Sequence, residues 1–509
     1  METIELMGGA LTLSQVEAVA RHGARVVLSD EAKARVNRAR ELVERTVKEG
    51  KVRYGITTGF GKFSETTISE ADSVKLQKNL IMSHSCGVGK PFDPEIVRAM
   101  LLLRAGALSV GHSGIRLSTI ETLLEMLNRD ILPVVPEKGS LGASGDLVPL
   151  SHMALALMGM GPVTYKGKVM SGEEALGAEG LSPVSLTAKE GLALNNGTQA
   201  MTAIGALALW DAENLVKTAD ILGAFTVEAL TGIVDAFDPG IHLLRGQPGQ
   251  QASAENIRKL LAGSGLATRQ GEKRVQDAYA LRCIPQIHGA TRDSVGFIGG
   301  VIRRELNAVT DNPLLFPDRD LVLSGGNFHG QYPAMAMDFL AIAASELADV
   351  SERRVERMVN PQLSNGLPAF LTRDGGLNSG FMIAQYTAAA LVSENKVLAH
   401  PACVDSIPTS ANQEDHVSMG MTSARKAREV IQNVTDVLGV ELMCAAQAAD
   451  LRGAEKLSPA ASAVYKLVRE EVPFLPEDDV LAPYMARCSA LISSGRVAKA
   501  AESAVGEIA

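Results

Sequence analysis

Positive charge is scarce in this sequence. Lysine and arginine total 49 against 58 aspartates and glutamates, a formal net charge of −9, and no run of five or six like charges occurs. A nucleic-acid partner needs a clustered basic face to displace phosphate counterions, so none is expected. Cysteine is also sparse: Cys86, Cys283, Cys403, Cys444 and Cys488 are scattered, odd in number and form no CxxC pair. They read as buried free thiols in a reducing compartment rather than disulfides or metal ligands, and a cytoplasmic setting is the expectation. Long apolar runs are missing as well. The most apolar stretch, AMTAIGALALW at 200–210, ends at Asp211 and is too short to span a bilayer, so no membrane role is expected. The opening METIELMGGALTL has two glutamates and no basic segment, unlike a signal peptide. No P-loop pattern, no GxGxxG after a strand and no HExxH spacing among the nine histidines is found, so phosphate cradles, dinucleotide sites and bound metals lack support.

What is present is helix. The 509 residues are 46% hydrophobic and 21% charged, enough for a large core and more than one domain. Asp30 reads as the cap of a helix through EAKARVNRARELVERTVKEGK, and Asp93-Pro94 opens EIVRAMLLLRAGALSV with proline at the first helical position. The proline-free Ala/Leu-rich segment 189–232 reads as helix, as do 334–360, 380–399, 420–452 and 477–503. Strand signals are short, the clearest being a hairpin around Gly167 in VTYKGKVM. Without strand–helix alternation a doubly wound sheet is not supported. The expected class is mainly α, a long-helix bundle with a loop-rich N-terminal lobe at 1–112 and a helical bundle over 113–509. Glycine-rich and polar clusters interrupt it, and such loops on rigid helices are where chemistry tends to sit.

One cluster, GSLGASGDLVPLS at 139–151, surrounds Ser144 with small residues. A hydrolase elbow needs G-x-S-x-G, but Gly145 follows Ser144 directly, so a serine nucleophile is weakly supported. Ser144 could instead cap a helix starting near Asp146. A third reading makes use of its flanks. The unhindered Gly145 nitrogen can attack the Ala143 carbonyl, and dehydration of Ser144 then leaves an exocyclic C=C, an electrophile that ordinary side chains do not provide. The helix that follows would aim its positive end at negative charge developing there.

This segment closely resembles the one from which the histidine/phenylalanine ammonia-lyase family forms its 4-methylideneimidazol-5-one (MIO) group out of Ala-Ser-Gly. The resemblance covers nearly the whole chain, with YGITTGFGKF (54–63), SHSCGVG (83–89), LNNGTQ (194–199), QDAYALRCIPQIHG (276–289), SGGNFHGQ (324–331) and SANQEDHVSMG (410–420) in matching order. It implies a mainly α ammonia-lyase architecture, similar to the fumarase/aspartase type, and MIO from Ala143-Ser144-Gly145 with no dissociable cofactor. It also implies a homotetramer whose sites draw on more than one subunit. By resemblance Tyr54 removes the substrate's β-proton, Arg282 binds its carboxylate, Asn196 lies beside the MIO group, Tyr279 and Gln276 line the site and Phe328 is the neighbouring aromatic. A phenol titrating near ~10 would need a depressed pKa or an assisting charge for that task.

Within the family, members acting on phenylalanine or tyrosine carry Phe-Leu or His-Leu where this chain has Ser83-His84, and Asn-Gln-Asp-Val where it has NQEDH with Glu414. Met382 stands where the phenylalanine enzymes have lysine. The pattern is similar to the branch acting on L-histidine, since a phenyl ring would leave Glu414 buried and unpaired. The alternatives are a tyrosine or phenylalanine lyase, an MIO-dependent aminomutase, or an inactive helical scaffold. Thr57, Asn195 and the tyrosine of HGQYP depart from the family's usual residues.

Overall fold

The computed structural model describes residues 2–509, and the chain divides into two compact units. One takes the chain up to Trp210 together with Gly299–Asp338 and Pro401–Arg425; the other comprises Asp211–Ile298, Phe339–His400 and Lys426–Ala509. The fold is mainly helical, as expected. Three helices are far longer than average: Gln199–Ala229, Gln331–Val359 and Gly420–Arg452. Among the described residues no helix is long and apolar enough to cross a membrane.

Among the described residues the first unit carries all the strands, in four small sheets. Thr3–Leu6 pairs parallel with Arg25–Leu28, and Val88–Pro91 pairs antiparallel with Pro136–Lys138. Pro162–Tyr165 and Lys168–Ser171 form the hairpin expected around Gly167, extended by Leu132–Pro133. Leu314–Phe316 pairs with Leu321–Leu323. The core helix Pro94–Ser109 starts at Asp93 with proline in its first turn, and its residues from Met100 to Ser109 are buried on every side.

Three helix readings need correction. The cap of Asp30–Lys48 is Ser29, whose hydroxyl accepts the Ala32 N–H, while Asp30 is the first helical residue and complements the helix dipole. The segment 189–232 is two helices, Glu190–Asn195 and Gln199–Ala229, because the backbone at Asn196 turns extended (φ −96°, ψ 113°). The segment 477–503 is also two, Ala482–Ser493 and Arg496–Val505.

The second unit packs helices around a buried polar network. The Asp220 carboxylate accepts from Ser253 Oγ (2.6 Å), Asn256 Nδ2 (2.9 Å) and Arg292 Nη2 (2.9 Å) and faces His288 Nδ1 at 2.8 Å. Arg354 forks onto Glu441, with Nε to Oε1 at 2.5 Å and Nη2 to Oε2 at 2.8 Å, and its Nη1 lies 3.3 Å from His288 Nε2. Arginine only donates, so His288 Nε2 is an acceptor and the ring is the neutral Nδ1–H tautomer. Burial lowers the His288 pKa, in keeping with that assignment. Such a buried chain is stable because its charged groups are hydrogen-bonded to one another.

Candidate active site

In the first unit Ser144 does not cap a helix. The N-cap of the helix Leu147–Leu157 is Asp146, which makes no side-chain cap bond, and Ser144 Oγ instead donates to Glu414 Oε1 at 2.9 Å. Glu414 sits on a turn with Ser410, Ala411 and Asn412 all at positive φ, and Thr409 Oγ1 donates to its second oxygen at 3.2 Å. Three non-glycine residues in the left-handed region are costly, so packing must hold this turn. It is tied to the serine loop by Met419 N donating to Leu141 O at 2.9 Å and Ser418 Oγ to Gly142 O at 3.4 Å.

The serine segment is fixed from the other side by Gly197. Its N–H donates to Ser144 O at 3.2 Å, and its carbonyl accepts the Asp146 N–H at 2.6 Å. Gly145, the residue bridged to Gly197, therefore keeps its own amide outside the pair. Gly145 has φ +75°, and a Cβ there would run into the Gly197 carbonyl, so only glycine fits. Asn196, next to this bridge, donates from Nδ2 to Asn312 O at 3.0 Å, while its Oδ1 is buried without a partner among the described residues. Asn312 in turn accepts the Gly325 N–H at 2.7 Å, which anchors the loop carrying half-buried Phe328.

Tyr54 lies on a turn closed by Thr57, whose hydroxyl accepts the Arg53 N–H (2.9 Å) and donates to Lys51 O (2.8 Å). The Tyr54 Oη accepts the Gly61 N–H at 3.2 Å. Burial, with the Glu414 charge adding to it, pushes its phenol above the usual value, opposite to the depression a resting tyrosinate would need. His84 ends the helix Glu70–His84 with Nδ1 3.0 Å from Ser83 Oγ, and burial lowers its pKa, so the ring is neutral near pH 7. Glu414 is close enough to act electrostatically on both Tyr54 and His84. Asp146 is wholly buried; burial lifts its carboxyl to about 7 against hydrogen bonds from Met201 N (2.7 Å) and Ser140 Oγ (2.9 Å).

Tyr54, His84, Ala143, Ser144, Gly145, Asn196, Phe328 and Glu414 are thus carried by the first unit. Gln276, Tyr279, Arg282 and Met382 belong to the second. There the Arg282 guanidinium lies 4.7 Å from the centre of the Tyr279 ring and donates from Nε to Asp277 O at 2.8 Å. Tyr279 is 68% exposed and Gln276 is exposed, while Met382, which begins the helix Met382–Leu398, is half-buried. The sequence reading missed Asp146, Asn312 and Arg104. Arg104 had a signal, being the one charge inside the apolar run AMLLLRAGALSV. A lone cation there is buried and paired rather than solvated.

The family model for aromatic amino acid lyases matches residues 11–470. A histidine ammonia-lyase of Symbiobacterium thermophilum is 61% identical over 508 residues, covering 100% of both chains. The crystal structure of histidine ammonia-lyase from Trypanosoma cruzi is 45% identical with a TM-score of 0.93, covering 100% of this chain and 96% of that one. A tyrosine aminomutase from Streptomyces globisporus has a TM-score of 0.95 at 38% identity, covering 99% of each chain. By its sequence, its mainly helical fold and its full-length relatives, this chain belongs to the aromatic amino acid lyase family.

Proposed function

We propose that the chain eliminates ammonia from L-histidine to give trans-urocanate, using an MIO group formed from Ala143-Ser144-Gly145. The observation that carries this reading is the hydrogen bond from Ser144 to Glu414. Ring closure joins the Gly145 nitrogen to the Ala143 carbonyl carbon, whose oxygen leaves as water. Ser144 then loses its Cα hydrogen and its hydroxyl as a second water, and no oxidant is required. The residues suit this chemistry. Ser144 O and Asp146 N are tied to Gly197, the Gly145 amide is left out of the pairing, and the buried Asn196 Oδ1 has no donor among the described residues. The group would supply an electrophilic methylene carbon.

Loss of the Ser144 hydroxyl deprives Glu414 Oε1 of its donor. An unpaired, partly buried carboxylate is costly, so the site favours a substrate bearing a ring N–H over one with a bare phenyl. Neutral His84 can share that recognition by accepting or donating. Arg282 would hold the substrate carboxylate in a charge-assisted contact. Tyr54 would take the β-proton, and because its phenol is raised it must first shed its own proton.

A homotetramer with shared sites completes the reading. Its support is the exposed apolar groove of the second unit, lined by Ile287, Phe297, Phe339 and Ile342, and the exposed Ile383 and Tyr386 of the helix Met382–Leu398. The segment 1–112 contributes Tyr54 and His84, the remainder contributes the MIO segment, and the cytoplasm is the setting. Separate incubation with histidine, tyrosine and phenylalanine tests substrate choice. Urocanate absorbance from histidine alone is expected. A cinnamate-type product or a β-amino acid from the other two would favour an aromatic lyase or the aminomutase reading that the Streptomyces globisporus likeness keeps in view.

A further inference from the structure

We propose that Arg104 is a positioning residue for the self-processing of Ala143-Ser144-Gly145, acting through Asn196 and Gly197. The inference rests on the MIO reading above and adds a residue that touches none of the reacting atoms.

Arg104 lies on the helix Pro94–Ser109 and is 1% exposed. Its Nη1 donates to Asn196 O at 2.9 Å and to Gln199 Oε1 at 2.6 Å, and its Nη2 donates to Ala193 O. Those acceptors span the point where Glu190–Asn195 ends and Gln199–Ala229 begins. Carbonyls at a helix end lack intrahelical donors, and here the guanidinium fork supplies them. Burial lowers its pKa only to about 10, so the fork stays charged at neutral pH.

The break held open in this way is what frees Gly197 to pair with the serine segment. Gly197 has φ +146°, and a Cβ added to it would crowd Arg104 Nη1 and Thr310 Oγ1 at 2.7 and 2.9 Å, as well as the Gln199 side chain. Thr310 Oγ1 accepts from Thr198 N (3.2 Å) and Gln199 Nε2 (2.8 Å), closing the same seat from its other side. Arg104 and Thr310 therefore fix the position of Gly197, and Gly197 holds Ser144 O and Asp146 N on either side of the Gly145 nitrogen. Ring closure within three residues depends on how closely that nitrogen is held to the Ala143 carbonyl. A displacement of about 1 Å can cost about a hundredfold in rate.

A merely structural cap would lower stability without changing how fast a folded chain matures. The test follows intact mass with time after a pulse of cell-free synthesis of the full chain, with folding monitored by near-ultraviolet circular dichroism. Wild type is expected to settle two water masses below its translated mass. Arg104→Lys keeps the charge but not the fork, and it should fold and lose the two waters at least about tenfold more slowly. Equal half-times in folded protein would overturn the proposal. Thr310→Val, nearly isosteric and leaving the Arg104 charge in place, should also slow maturation. If it matures at the wild-type rate the proposal falls, whether or not Arg104→Lys folds. A wild-type chain that retains its full mass would instead overturn the MIO reading itself.

Discussion

At the scale of single residues, Ser144 and Glu414 depend on each other. The hydroxyl that now satisfies Glu414 Oε1 is the one the proposed processing would discard, and the same event would then free Glu414 to contact substrate. Ser144→Ala should still fold, since it loses only a half-buried hydroxyl and its bond to the partly buried Glu414, yet turnover should fall by about three orders of magnitude or more. Steady-state rates on purified protein check this, and a near-normal rate contradicts it. Tyr54 sets the sign of the pH dependence. Its raised phenol is protonated near neutrality, and below that pKa the tyrosinate fraction grows about tenfold per pH unit. kcat/KM should therefore climb from about pH 7 to about pH 9, and Tyr54→Phe should abolish the climb along with most of the rate; a profile falling over that range would exclude the phenol as base. Ser144 and Gly145 could be singled out from local sequence because small flanks are a local signal. Glu414 was visible only by resemblance, since its pairing spans 270 positions in the chain. Asp146 and Asn312 were missed because burial and partner identity are tertiary facts.

At the scale of elements, helix starts were legible where a cap and a proline stand together, as at Asp93-Pro94, and ambiguous where two cap residues adjoin, as at Ser29-Asp30. The break at Asn196–Thr198 had a local signal in the polar cluster LNNGTQ, yet the proline-free Ala/Leu pattern on both sides reads as one helix. The interruption is held by Arg104 and Thr310 from other parts of the chain. That break and the serine loop meet in one backbone bridge, which makes Gly145 a sharp probe. Gly145→Ala puts a side chain at φ +75° and against the Gly197 carbonyl. A folded protein that keeps its full translated mass is the expected result by mass spectrometry, and two-water loss at the wild-type rate would show that the bridge is dispensable.

At the scale of the whole molecule, the mainly helical class was legible from apolar spacing, whereas the composition of each compact unit from three separate stretches of chain was not. Contacts between distant segments leave no periodic mark. The second unit depends on its buried network. Burial works to raise the Asp220 carboxyl, but the hydrogen bond from His288, with the Arg292 charge and the Ser253 hydroxyl, overrules it and holds the group at about 2. A depressed carboxylate adds stability above its unfolded pKa, which disappears as pH falls from about 4 to about 2. Asp220→Asn should cost about 3 kcal/mol or more at neutral pH and flatten that acid limb in denaturant titrations; an unchanged limb would mean other carboxylates dominate it.

The central claim is that Ser144 is consumed. Mass spectrometry of the intact wild-type chain tests it most directly, before any substrate is added. A mass two waters below that of the translated sequence, with the deficit confined to the peptide spanning Ala143 to Gly145, is the result predicted. The full translated mass in folded, active protein would contradict it.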